Sequence, residues 1–273
     1  MTPASALLEP LLARIAGWHG DGLFVLGICG AQGSGKSTLA AALAQRLAAQ
    51  GLRAATLSLD DLYLTRAERQ ALARDVHPLF ATRGVPGTHD VALGLATLDA
   101  LKRGEAAPLP RFDKARDERA PVSSWPQALP QTQVLLFEGW CLGARAQNPS
   151  ALVAPVNELE LLEDPHGVWR GHANAALGGD YQRLFARIDR LVFLAAPGWD
   201  TVAQWREQQE ADLRASSTSA ALGVMSPEQI GRFVQHFERI TRAALTEMPQ
   251  RADLVVRLRP DRAPLDLSGS AAR

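Results

Sequence analysis

Apolar residues along this chain fall into two rhythms. Short, nearly continuous apolar runs stand at Leu23 to Cys29, Ala54 to Leu59, Gln133 to Phe137, Arg190 to Ala195 and Leu254 to Leu258. Runs of this length predict five buried strands. Between them, apolar residues recur every three or four positions. Leu39, Ala42, Leu43, Leu47 and Ala48 share one side of a helix over 38–50 that Gly51 stops. Residues 65–76 also read as helix. Asp90 N-caps a helix with Val91, Leu95, Leu98 and Leu101 inward, and Gly104 ends it. Residues 155–188 are mostly helical, as is 199–215. Ser226-Pro227-Glu228-Gln229 then opens a helix whose core face is Ile230, Phe233, Val234, Phe237 and Ile240. Leu7, Leu8, Leu11, Leu12 and Ile15 predict a short N-terminal helix, broken near Pro10. Strands separated by helices imply parallel βαβ units. Residues 77–89 and 105–131 are loops by their Gly and Pro content, and the tail after Arg262 is expected to fray.

The first strand runs straight into Gly30-Ala31-Gln32-Gly33-Ser34-Gly35-Lys36-Ser37-Thr38. This fits G-x-x-x-x-G-K-[ST], and a strand before with a helix after is the context that confirms a P-loop. Each residue type has a reason. Gly30, Gly33 and Gly35 let backbone N–H groups turn toward phosphate oxygens, with Gln32 and Ser34 carrying the amides between. The helix start at Thr38 adds partial positive charge. Lys36 reaches the β- and γ-phosphates, and the Ser37 hydroxyl can ligate Mg²⁺. ATP and Mg²⁺ are the expected cofactors, the motif itself leaving ATP against GTP open.

Ligands of open parallel sheets sit beyond the carboxyl ends of the strands. Three features fall there: the P-loop, Asp60-Asp61 after the second strand, and Glu138 after the third. A phosphoryl-transfer enzyme needs one carboxylate to accept the acceptor hydroxyl's proton and another near the metal. At least one of Asp60 and Asp61 suits the first role, and Glu138 stands at a Walker B position. Arg206 and Arg214, on the helix after strand four, are candidate lid cations. The loop cations Arg83, His89, Arg111, Lys114 and Arg119 could grip an anionic acceptor. Phe112 and Trp125 could pin the second loop to the body.

Composition narrows the setting. With 273 residues, 47% hydrophobic and 21% charged, the chain is long enough for one large α/β domain or two small ones. Formal net charge is +0, so nothing marks a nucleic-acid or membrane-surface binder. Cys29 and Cys141 form no C-x-x-C pair and read as reduced thiols of a cytoplasmic protein. No apolar run is long enough to span a bilayer, and residues 1–20 lack a secretory pattern. Oligomeric state is not legible.

Several longer stretches resemble those of the D-glycerate 3-kinase family. They are Ser58-Leu59-Asp60-Asp61-Leu62-Tyr63-Leu64-Thr65, Arg83-Gly84-Val85-Pro86-Gly87-Thr88-His89-Asp90, and Pro110-Arg111-Phe112-Asp113-Lys114 followed by Asp117-Glu118-Arg119 and Trp125-Pro126. Phe137-Glu138-Gly139-Trp140-Cys141-Leu142-Gly143, Trp205-Arg206 with Gln208 and Glu210, and Gly223 with Met225-Ser226 complete the series. The wider group comprises uridine kinase, pantothenate kinase and phosphoribulokinase-like proteins. The resemblance implies one P-loop kinase domain over 1–273, with a central five-stranded parallel sheet flanked by helices. A lid lies at about 198–226 and acceptor-side loops at about 77–89 and 105–131. It implies Asp60 as base, Asp61 as a helper with metal or acceptor, and D-glycerate as acceptor. A nucleoside or pantothenate-like acceptor, or a regulatory ATPase, are the alternatives.

Overall fold

The computed structural model describes residues 3–216 and 227–269. In chain order the elements are α1 (Pro3–Trp18), β1 (Phe24–Gly30), α2 (Lys36–Ala49), β2 (Ala54–Ser58), α3 (Arg66–Asp75), α4 (Val91–Lys102), β3 (Ala107–Pro108), β4 (Phe112–Asp113), β5 (Glu118–Arg119), β6 (Gln127–Ala128) and β7 (Val134–Gly139). There follow α5 (Glu158–Glu163), α6 (Val168–Gly178), α7 (Asp180–Phe185), β8 (Arg190–Ala195), α8 (Trp199–Ser216), α9 (Pro227–Glu247), β9 (Leu254–Leu258) and β10 (Pro264–Gly269).

Six strands form one sheet in the order β10-β9-β8-β1-β7-β2. Five of them run parallel, β1 pairing with both β7 and β8. Every residue of β1 and β7 is buried, because helices cover both faces of the sheet. Alternate residues serve the two layers. Phe24, Leu26 and Ile28 meet Leu11, Ile15, Leu39 and Leu43 of α1 and α2. Val25, with Leu135 and Phe137 of β7, meets Leu98, Leu184, Phe237 and Ile240 on the opposite side.

Two expectations need correction. Fraying is expected after Arg262, but Pro264–Gly269 form β10, a sixth, antiparallel strand added to the five parallel ones. A tight turn returns the chain, with Arg259 N–H donating to Ala263 O and Arg262 N–H to Arg259 O. Nor does Pro10 break the N-terminal helix. Pro10 lies on its exposed side, where the carbonyl it leaves unpaired can bond water. Asp90 caps α4 as expected, accepting from Leu93 N–H at 2.9 Å. Ser226, Gly223 and Met225 lie outside the described residues. The 105–131 stretch is irregular except for two short antiparallel pairs, β3 with β6 and β4 with β5, and a 3₁₀ turn at Val122–Ser124. Phe112 and Trp125 are both buried and pin it down. No helix among the described residues is long and apolar enough to cross a membrane.

Candidate active site

The P-loop leaves β1 at Gly30 and enters α2 at Lys36. Gly33 (φ 75°) and Gly35 (φ 86°) are left-handed, which a side chain would strain. Gly33 also has no room for one: a Cβ there would come within 2.6 Å of Trp205 Cβ. A cleft of about 400 Å³ opens over the loop. Gln32, Gly33, Gly35, Lys36, Ser37 and Thr38 form one wall, and Asp60, Tyr63, Arg83 and Lys114 form another. Arg206, Gln209, Phe233, Phe237 and Arg262 complete the rim.

At the floor, Ser37 Oγ donates to Glu138 Oε1 at 2.8 Å. The other carboxylate oxygen, Oε2, is buried without a partner. A buried carboxylate edge with no donor is costly unless a cation or water completes it. A hydroxyl beside a carboxylate is an all-oxygen donor set of the kind Mg²⁺ takes together with substrate phosphates. The residues present therefore fit the ion.

Asp60 and Asp61 diverge. The Asp60 carboxylate faces the cleft, where Oδ1 accepts from Tyr63 OH at 2.7 Å and Oδ2 from Lys114 Nζ at 2.6 Å. Burial pushes its pKa up, but Lys114 and Lys36 outweigh burial and hold the carboxyl well below the usual range. Asp61 turns away from the cleft into the β4–β5 hairpin. It accepts from Phe112 N–H at 3.1 Å and from Arg111 Nη1 at 3.2 Å. Burial raises its pKa against the opposing pull of Arg111. The Ser58 side chain accepts from Asp60 N–H, and a one-turn 3₁₀ helix from Leu59 to Leu62 sends the two neighbours to opposite sides.

The cations sort in the same way. Arg83 borders the cleft, lies over the Phe112 ring at 5.6 Å, and forms an ion pair with Asp117. Lys114 borders it from the hairpin tip. Arg111 does not, being held by Asp61 and its own neighbour's carbonyl, Pro110 O. His89 does not reach it either. Its ring is 5% exposed, stacked on Tyr63 at 4.7 Å, with Nδ1 2.6 Å from Tyr181 OH. Burial lowers its pKa to about 4, against a smaller opposite effect of Asp60, so it is neutral there. Arg119 is likewise occupied, donating to Asp90 Oδ2 and Tyr63 O.

The loop ending at His89 is fixed by other means. Trp140 Nε1 donates to Gly84 O at 3.0 Å, and the ring of Phe237 lies so close that a Cβ on Gly84 would meet it at 2.4 Å. On α8, Arg206 Nη1 donates to Gln209 at 3.0 Å and its guanidinium lies 5.4 Å from the Phe233 ring. Arg214 lies outside the residues whose side chains are described.

Three contributors carried no role in the sequence reading. Tyr63 was legible only as part of a motif. Arg69, 1% exposed, donates to Leu64 O, Ala81 O and Asp117 O and so locks the hairpin in place. Its signal was weak: an arginine at a core-facing position of a short helix. Arg262 stands just before the stretch expected to fray, 229 residues from its partner Gly33.

A family profile for phosphoribulokinase and uridine kinase matches residues 25–148, the segment that carries the P-loop, Asp60, the hairpin and Glu138. An uncharacterised kinase of Schizosaccharomyces pombe, mug58, is 36% identical over 228 residues, which is 78% of each chain. The chain belongs to the phosphoribulokinase/uridine kinase family. D-glycerate 3-kinases are among its relatives. The chloroplastic one of Arabidopsis thaliana is 33% identical over 224 residues, 78% of this chain and 46% of the plant protein. The solved D-glycerate 3-kinase of Cryptococcus neoformans var. grubii superposes with a TM-score of 0.78 at 26% identity, over 98% of this chain and 97% of that one. This chain is thus a P-loop kinase, with the nucleotide site and phosphotransferase class that this entails.

Proposed function

We propose that the protein transfers the γ-phosphoryl group of ATP to a hydroxyl of a small anionic acceptor, D-glycerate, giving 3-phosphoglycerate. One observation carries this reading: across a single cleft the phosphate cradle faces a carboxylate, Asp60, flanked by two cations, Arg83 and Lys114. In-line transfer needs a nucleophile held against the γ-phosphate and a group to take its proton. Asp60 supplies the second, with Tyr63 holding one carboxylate edge. Arg83 and Lys114 supply charge for an acceptor carboxylate. Lys36 and the P-loop amides hold the β- and γ-phosphates, and Arg206 offsets charge on the transferring group. Mg²⁺, held by Ser37 and Glu138, would neutralise charge on the β- and γ-oxygens. Asp61 acts at one remove, by fixing the hairpin that presents Lys114.

The single-domain organisation belongs to this proposal. The lid covers about 198–226, of which α8 is described to Ser216, and the acceptor-side loops span about 77–89 and 105–131. So does a cytoplasmic setting, which the two buried free thiols favour. The cleft also contains the rings of Tyr63, Phe233 and Phe237, so a nucleoside acceptor is the second reading. ADP release measured across a panel of small hydroxy acids and nucleosides decides between them. Turnover with glycerate and none with nucleosides supports the proposal, and the reverse overturns it. ATP hydrolysis equally fast with every acceptor and with none would instead indicate a regulatory ATPase.

A further inference from the structure

Both oxygens of the Asp60 carboxylate are taken, and the two partners are held very differently. Tyr63 is 4% exposed, stacked on His89 and edge-on to Phe112 at 5.3 Å. Its hydroxyl cannot leave Oδ1 without unpacking that cluster. Lys114 is 58% exposed and reaches Oδ2 from the turn between β4 and β5. The backbone of that turn is anchored independently: Asp117 is held by Arg69 and Arg83, and Asp113 Oδ1 accepts from Ala115 and Arg116 N–H. The Lys114 side chain can therefore swing while the hairpin stays. With its ammonium end open to solvent and its Asp60 end only 27% exposed, the pair can be exchanged for a competing carboxylate that enters the cleft.

We infer that Lys114 is an acceptor-operated latch on Asp60: without acceptor it occupies the oxygen that must take the proton, and an acceptor carboxylate draws it off. This rests on the kinase reading above and deepens it. With the acceptor bound, its hydroxyl oxygen forms the new bond to Pγ and the bond from Pγ to the bridging oxygen of ADP breaks. The hydroxyl proton passes to the vacated Oδ2. With only water in the cleft the latch stays shut, and a carboxylate held so far below its usual range takes a proton poorly. ATP is thereby spared from hydrolysis, a problem for any kinase whose cleft admits water when its small acceptor is absent.

The test is ADP release without acceptor, for wild type, Lys114→Met, Lys114→Arg and the double variant Lys114→Met with Asp60→Asn. Lys114→Met should hydrolyse ATP at least about threefold faster than wild type. Its KM for glycerate should rise about tenfold, the size expected for one lost charge-assisted contact. Lys114→Arg should restore both. Adding Asp60→Asn should abolish the gain in hydrolysis, which a merely loosened hairpin would not do. Hydrolysis by Lys114→Met no faster than wild type overturns the latch, as does a gain that survives Asp60→Asn. If wild type ignores glycerate, the substrate reading fails, but the acceptor-free comparison still decides the latch.

Discussion

Arg262 Nε donates to the carbonyl of Gly33 at 2.7 Å, tying the turn before the last strand to the middle of the P-loop. The same side chain reaches Gln208 of α8 at 2.9 Å and lies 5.3 Å from the Trp205 ring. Trp205 in turn donates to Pro260 O at 2.6 Å and packs against Gly33. The P-loop, α8 and the turn between β9 and β10 thus meet in one knot. A carbonyl held outward leaves the neighbouring amides free to face phosphate.

Arg262→Met should therefore weaken nucleotide binding. The expected rise in KM for ATP is about three- to tenfold, from the loss of a charge-assisted bond to a carbonyl, with the acceptor KM nearly unchanged. Steady-state kinetics with each substrate varied in turn would check it. An unchanged KM for ATP would mean that the P-loop keeps its shape without the knot.

Lys36→Ala should abolish phosphoryl transfer while circular dichroism and melting stay close to wild type, since Lys36 lines the cleft rather than the core. Asp60→Asn should keep nucleotide binding but lose about a hundredfold or more in kcat. Asp61→Asn should act differently. It weakens the grip on Arg111 and Phe112, so its effect should appear in stability and acceptor KM before kcat. A mild Asp60→Asn beside a severe Asp61→Asn would exchange their roles.

Much of this was legible from residues 23–59 and 133–139. Continuous apolar runs mark strands buried on both faces, and the P-loop, Asp60 and Glu138 follow directly from where those runs stop. What stayed hidden depends on tertiary partners. Asp60 and Asp61 are neighbours of the same type, and only the 3₁₀ turn after β2 shows that one faces the cleft and the other the hairpin. His89 and Arg111 read as free cations because nothing local reveals Tyr181 or Asp61 as their partners. The turn at Arg262 looked like a tail because β10 has too little apolar character to declare itself, with Leu265 and Leu267 both exposed.

The cations of the acceptor loops should separate in kinetics. Arg83→Lys keeps the charge but loses the planar fork, so the acceptor KM should rise about tenfold or more with KM for ATP unchanged. Arg111→Lys should leave both KM values nearly as they are and lower the melting temperature instead, because Arg111 bonds Asp61 rather than the cleft. If Arg111→Lys also raises the acceptor KM tenfold, the guanidinium must leave Asp61 when substrate arrives.

Acid should destabilise the fold through its buried imidazoles. His236 is 3% exposed, and Nδ1 lies 3.2 Å from the carbonyls of Arg232 and Phe233, which makes Nδ1 the protonated nitrogen of a neutral ring. Burial, helped by the nearby Arg232, lowers its pKa from 6.5 to about 4. Between those values the unfolded chain binds a proton that the folded one refuses, so stability falls as pH drops from about 6.5 toward 4 and is fully present above that window. The largest loss from this one group is on the order of 3 kcal/mol. His89, lowered to about 4 as well, adds a second loss of the same sign. His236→Gln removes one titrating site that does not itself line the cleft. Its urea midpoint should therefore fall less than that of wild type between pH 7.5 and 5.0, while activity at pH 7.5 stays near normal. Parallel losses in the two proteins would mean that His236 takes up its proton in the folded state after all.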